Sequence, residues 1–182
     1  MSNKGELPLY FVAIVPPEPL RSEAMQWKEY FAKEYNSKAA LRSPPHITLH
    51  MPFRLKPDKE AALISTLQNV KIEPFKIALK DYGSFSPKVI YINVVASVAI
   101  TALYENVQFA LKTKMNLHNA DYKGKGFHPH ITIAFRDLKK SFYQAAWGEL
   151  KEKNYENSFQ CSSFTLLKHN GRTWDEYREF DL

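Results

Sequence analysis

The chain carries one short motif twice, His46-Ile47-Thr48-Leu49 and His130-Ile131-Thr132-Ile133, with the two histidines 84 residues apart. In a strand, residues two apart share a face. Each copy would therefore show an imidazole and a hydroxyl to one side and send two aliphatic side chains to the other. One imidazole can take a proton from an attacking water or hydroxyl while the second gives one to a departing oxygen. The ordinary histidine pKa of about 6.5 makes both forms accessible near neutral pH. Two threonine hydroxyls beside them would hydrogen-bond the non-bridging oxygens of a phosphate and hold phosphorus between the rings. This set suits acid/base cleavage of a phosphodiester and needs no metal. A lone histidine in a strand is more often structural than reactive; its repetition with threonine at the same spacing favours chemistry.

The elements that must position these residues follow from hydrophobic pattern. A strand over 10–15 stops at Pro16-Pro17, and a helix follows with Leu20, Trp27, Tyr30, Phe31 and Tyr35 at helical spacing. The first motif reads as a strand over 46–50 bounded by prolines. Leu63, Ile64, Leu67 and Val70 then mark a helix, and Phe75, Ile77 and Leu79 alternate as a half-buried strand does. The same order recurs. A strand over 89–95 leads to a helix with Leu103, Val107, Leu111 and Met115, then a strand over 130–135 and a helix through Phe142, Ala146 and Leu150. A last strand over 159–168 meets one over 173–180 across Asn170-Gly171, a natural tight turn. The one obvious joint between the halves is Tyr82-Gly83-Ser84-Phe85-Ser86-Pro87. The expectation is an α+β class with largely antiparallel sheet, residues 1–182 forming one bilobal domain in which an approximate two-fold sets the motifs across a cleft.

With Pro-Pro-His46-Ile-Thr48-Leu and His-Pro-His130-Ile-Thr132-Ile in these places, the chain resembles the 2H phosphoesterase superfamily, which includes 2′-5′ RNA ligase-like proteins and cyclic nucleotide phosphodiesterases. The resemblance implies two antiparallel sheets flanked by helices around a central cleft, catalysis by His46 and His130, and phosphate binding by Thr48 and Thr132. It also implies action on 2′,3′-cyclic phosphates or 2′-5′ linkages, or the reverse joining of RNA ends. For hydrolysis His130 would activate water and His46 would protonate the leaving oxygen, although the near-symmetry of the motifs leaves the roles exchangeable.

Further contacts to substrate are expected from Phe53 after the first motif, and from Tyr122, Lys123, Lys125 and Phe127 before the second. Aromatic rings stack on bases and lysines meet phosphates in single-stranded RNA recognition. Packing of Phe53 and Phe127 in a core is an equally good reading. Gly124 and Gly126 would make that loop pliable. His128 suits a loop cap, and His50, His118 and His169 suit surface or packing roles.

A net charge of +6 favours an anionic partner, RNA or a nucleotide, without demanding one. Cys161 is the single cysteine, which excludes an intrachain disulfide and a Cys-rich zinc framework and fits a reducing, cytoplasmic setting. The apolar run near the start is too short for a signal-peptide core or membrane span. A monomer without cofactor, metal or membrane partner is expected. No GxxxxGK[ST], GxSxG or GxGxxG motif is present, and Lys123-Gly124 and Lys125-Gly126 lack the Asp of a nucleotide-charging ligase, so ATP-driven joining is poorly supported. Two alternatives remain. His128 and His130 could chelate a divalent metal with a distant carboxylate, or the fold could bind RNA without catalysis.

Overall fold

The computed structural model describes residues 7–119 and 126–182. Strands β1 (Leu9–Ile14) and β2 (Ile47–Arg54) flank helix α1 (Leu20–Tyr35), and α2 (Glu60–Gln68) leads to β3 (Phe75–Phe85). Strands β4 (Val89–Val94) and β5 (His130–Ala134) flank α3 (Val98–Met115). Helix α4 (Lys140–Leu150) precedes β6 (Glu156–Cys161), β7 (Ser163–His169) and β8 (Trp174–Asp181). The α+β expectation holds. All eight strands join one antiparallel hydrogen-bonded order, β6-β3-β4-β5-β2-β1-β7-β8.

That order has a centre. Motif strands β2 and β5 are neighbours, linked in register at Ile47↔Ile131. On either side stand four strands, so the two expected sheets are two halves joined at this narrow seam. The pattern is symmetric about it: β1 beside β2 matches β4 beside β5, and each pair is connected by a long helix. Helix α1 packs against β5 and helix α3 against β2, so each helix supports the other copy's strand. The ends of these helices are duplicated too. Asn36 and Asn116 take left-handed φ values of 52° and 53°. The next residue in each copy, Ser37 or Leu117, returns its N–H to the carbonyl of Phe31 or Leu111, at 3.1 Å in both. Asparagine tolerates this conformation, and the return bond satisfies a carbonyl the helix would otherwise leave open.

Three expectations are corrected. Tyr82 to Phe85 is no joint; it is the end of β3, which pairs with β4 as a hairpin inside one half of the sheet. The halves of the sheet are therefore not the halves of the sequence, since β3 joins β4 and β5 while β7 and β8 join β1 and β2. The strand expected over 159–168 breaks at Ser162 into β6 and β7, which belong to opposite halves. Finally, β2 runs through Pro52 to Arg54. Past its start this strand pairs with no strand but β1, and a strand with one edge unpaired in the sheet tolerates a missing N–H.

The core lies on the helix side of the sheet. Ile47, Leu49, Ile131 and Ile133 are fully buried there with Leu63, Leu67, Leu103, Val107 and Leu111. The alternation of the two motifs thus anchors one face and leaves the other for His46, Thr48, His130 and Thr132.

Candidate active site

The antiparallel pairing around Ile47↔Ile131 carries a direct consequence. One residue outward on either side, His46 lies across from Thr132 and Thr48 across from His130. Facing Cβ atoms in such a pair sit about 5 Å apart and diagonal ones about 7 Å apart. The histidines occupy the diagonal. All four polar side chains share the sheet face opposite the core, and all four are half-buried. Thus the structure brings together the four motif residues singled out in the sequence.

Each imidazole is pinned in the same way. His46 Nδ1 lies 2.8 Å from the Pro44 carbonyl oxygen, and His130 Nδ1 lies 2.7 Å from that of His128. A carbonyl only accepts, so Nδ1 carries the hydrogen in both rings and Nε2 keeps the lone pair for a reacting group. Aromatic rings flank each histidine. His46 rests on Phe11, with ring centroids 4.8 Å apart, and Phe11 meets Trp174 edge-on at 4.6 Å. His130 contacts Tyr91 at 4.8 Å and Phe85 at 5.2 Å. Phe11 on β1 and Tyr91 on β4 stand on corresponding strands of the duplicated order but at different registers: Tyr91 pairs with Thr132, and Ala13, not Phe11, pairs with Thr48.

The surroundings of the rings hold them neutral. Burial pushes His46 down to about 3; the Lys28 ammonium and, more weakly, His130 add to that, against the pull of the Pro44 bond. Burial also lowers His130, with His128 adding to it and the backbone bond opposing. Lys28 lies on the buried stripe of α1, Leu20-Ala24-Lys28-Phe31-Tyr35, and is itself pushed down to about 7 by burial. Its Nζ donates to the Ser43 carbonyl at 3.0 Å, at the turn that precedes His46.

The other expected contacts fall elsewhere or outside the description. Phe53 lies at the far end of β2, stacked with Tyr10 at 6.0 Å and against His50 at 5.2 Å, and packs on the core. Phe127 stacks on Tyr104 at 4.1 Å. Lys125, Tyr122, Lys123 and Gly124 lie outside the described residues. Gly126 adopts φ 69°, a conformation glycine takes without strain. His128 is exposed, and its Nε2 meets the Tyr91 hydroxyl at 3.1 Å. His50 is buried, 1% exposed, with its Nδ1 bonded to the Met51 carbonyl. Among the described residues no group of three His, Cys, Asp or Glu side chains converges as a metal site would require.

Sequence reasoning missed Phe11, Tyr91 and Trp174, which read as ordinary strand positions, and Phe85, which was expected in the joint between the halves. It also missed Lys28, although a charge on an apolar helical stripe was a visible signal.

This fold and this paired motif define a class, and the family model for the 2′-5′ RNA ligase superfamily matches residues 16–173. The chain belongs to that superfamily, which bears out its resemblance to the 2H phosphoesterases. It is 30% identical over 177 residues to a Geobacillus sp. (strain WCH70) protein named "Putative phosphoesterase", covering 94% of each chain. The structure of LigT from E. coli in apo form superposes with a TM-score of 0.67 at 20% identity, covering 98% of this chain and 99% of that one. LigT complexed with 3′-AMP gives a TM-score of 0.64 at 19% identity, with 97% and 99% covered. No helix among the described residues is long and apolar enough to cross a membrane.

Proposed function

We propose that this protein is a metal-independent phosphodiesterase that opens 2′,3′-cyclic phosphates or cleaves 2′-5′ phosphodiester bonds of RNA or nucleotides, acting as a monomer in the cytoplasm. The observation that carries the reading is the matched pinning of the two imidazoles through Nδ1, which leaves both Nε2 atoms available on one sheet face. With phosphorus between the rings, one Nε2 takes a proton from water as its oxygen attacks, and the other, protonated, delivers a proton to the ribose oxygen as its bond to phosphorus breaks. The product is a phosphomonoester with a free hydroxyl. Thr48 and Thr132, each across from the opposite histidine, donate to the non-bridging oxygens, whose charge grows as attack proceeds. That E. coli LigT is seen complexed with 3′-AMP supports a nucleotide substrate here.

The test uses nucleoside 2′,3′-cyclic phosphates and a 2′-5′-linked dinucleotide with chelator present, comparing wild type with His46→Ala and His130→Ala. Turnover by wild type should fall roughly 10²- to 10⁴-fold in each variant. Turnover indifferent to both substitutions would refute the mechanism, and chelator-sensitive turnover would refute metal independence. Joining of RNA ends without ATP is the same step with a 5′-hydroxyl in place of water as the attacking group, forming a new phosphodiester as the cyclic P–O bond breaks, and is read out by product formation from 2′,3′-cyclic and 5′-hydroxyl ends. RNA affinity that survives both substitutions, with no turnover of any substrate, would favour a binding protein.

A further inference from the structure

We propose that Lys28 is a positioning residue that makes the two histidines inequivalent, placing a buried positive charge behind His46 alone so that His46 serves as the base and His130 as the acid. The catalytic half of this statement rests on the phosphodiesterase reading; the electrostatic half does not.

Lys28 is 1% exposed, and among the described residues its ammonium bonds the Ser43 carbonyl at 3.0 Å. No carboxylate pairs with it among the described residues. A buried ammonium without a counter-ion is costly, and a helix rarely places one on its core stripe without a use. It sits where it acts on His46 twice. Through Ser43 it braces the turn whose next residue, Pro44, holds His46 Nδ1. Through space its charge opposes a second positive charge on the His46 ring. Among the described residues, the groups that face His46 are Lys28 from α1, the Phe11 ring from β1, His130 from β5 and the Pro44 carbonyl of its own turn, and none of them is acidic.

The duplicate helix lacks this charge. Counted back eight residues from the left-handed asparagine that ends each helix, Lys28 in α1 corresponds to Gln108 in α3, whose amide donates to the Leu49 carbonyl. Both residues donate to a backbone carbonyl; only one carries charge. Since Lys28 itself titrates near 7, it is protonated over the acidic range in which an imidazole would take up a proton. When a phosphate anion enters and favours protonation of both rings, the proton settles on His130. This reverses the assignment suggested by the family resemblance.

The experiment is an NMR titration of histidine-labelled protein, with and without inorganic phosphate, for wild type, Lys28→Met and Lys28→Gln. Resonances are assigned from the His46→Ala and His130→Ala spectra. Lys28→Met removes charge and donor and leaves an apolar core side chain; Lys28→Gln keeps a donor and makes α1 resemble α3. The expected result is that His46 gains proton affinity, by on the order of tenfold, in both variants while His130 stays within about twofold. In wild type with phosphate, His130 should protonate at higher pH than His46, and the gap should narrow in both variants. His46 unmoved in Lys28→Gln, or both rings shifting together, would overturn the proposal. The titration needs no turnover, so it decides Lys28 even if no cyclic phosphate is cleaved. If one is cleaved, the acidic limb of kcat/KM should move to higher pH in Lys28→Gln, which loss of packing alone would not produce.

Discussion

Gly83 shows how far a single position reaches into the site. It pairs with Tyr91 across β3 and β4, and the Tyr91 ring lies over it so closely that an added Cβ would stand 2.3 Å from Cε2 and 2.7 Å from the hydroxyl oxygen. Tyr91 in turn contacts His130 and holds His128 by its hydroxyl, and the His128 carbonyl fixes His130 Nδ1. A side chain at Gly83 has to push the ring into this chain of contacts. Gly83→Ala is expected to lose about 1–3 kcal/mol of stability by overpacking. Because small displacements of reacting groups cost up to about 10²-fold, it should also lower kcat/KM by tenfold or more on whichever cyclic phosphate wild type cleaves. Urea denaturation and steady-state kinetics on one preparation test both; wild-type kcat/KM would refute a role for the ring in holding His130.

Between elements, the link that matters most runs from the end of β5 to the approach to β2. Asp137 accepts from the Ser37 hydroxyl at 3.0 Å and from the N–H groups of Lys38 and Ala39 at 2.8 and 2.9 Å. It thereby caps the short 3₁₀ turn Ala39–Arg42 that leads into the first motif, from a loop that follows the second. Ser37 is fully buried, so its hydroxyl finds no water if the carboxylate is lost. Asp137→Ala should cost about 1–2 kcal/mol, the scale of a capping carboxylate. Hydrogen exchange of the Lys38 and Ala39 amides, measured beside a denaturant curve, should show lost protection there; unchanged protection would mean that the turn holds without it.

At the scale of the whole molecule, the buried basic groups set the response to pH. His46, His50 and His130 are all held below the ordinary imidazole value, chiefly by burial. The unfolded chain takes up these protons near pH 6.5 while the folded chain resists them, so their contribution to stability is present above that pH and is lost as pH falls through the folded values. Lys28, held at about 7, acts in the same direction over the alkaline range, its contribution fading as pH falls from about 10 toward 7. The protein is therefore expected to melt at steadily lower temperature from pH 8 to pH 5, before the carboxylates titrate. Calorimetry across this range tests it, and a flat or rising Tm would contradict it. Lys28→Met should flatten the slope above pH 7.

The sequence by itself determined the paired His-Thr motif on which the proposed chemistry rests and the existence of most elements, for a physical reason: both are local. A histidine and a threonine two apart on a strand face are read from period alone, as are the buried stripes of α1 and α3 and the turn at Asn170-Gly171. The pairing of strands is not local. Nothing in residues 75–85 announces that β3 crosses to β4 rather than returning to β2, nor that one residue, Ser162, separates strands of opposite halves. Such partners are chosen by which arrangement buries both faces of β1 and closes the seam at Ile47↔Ile131. The same holds for the support of the site. Phe11, Tyr91 and Asp137 act on residues 35 or more positions away, and in the chain they are indistinguishable from core and loop. Only the tertiary structure decides that Lys28 is buried, because burial is a property of what packs over a residue and not of the residue itself.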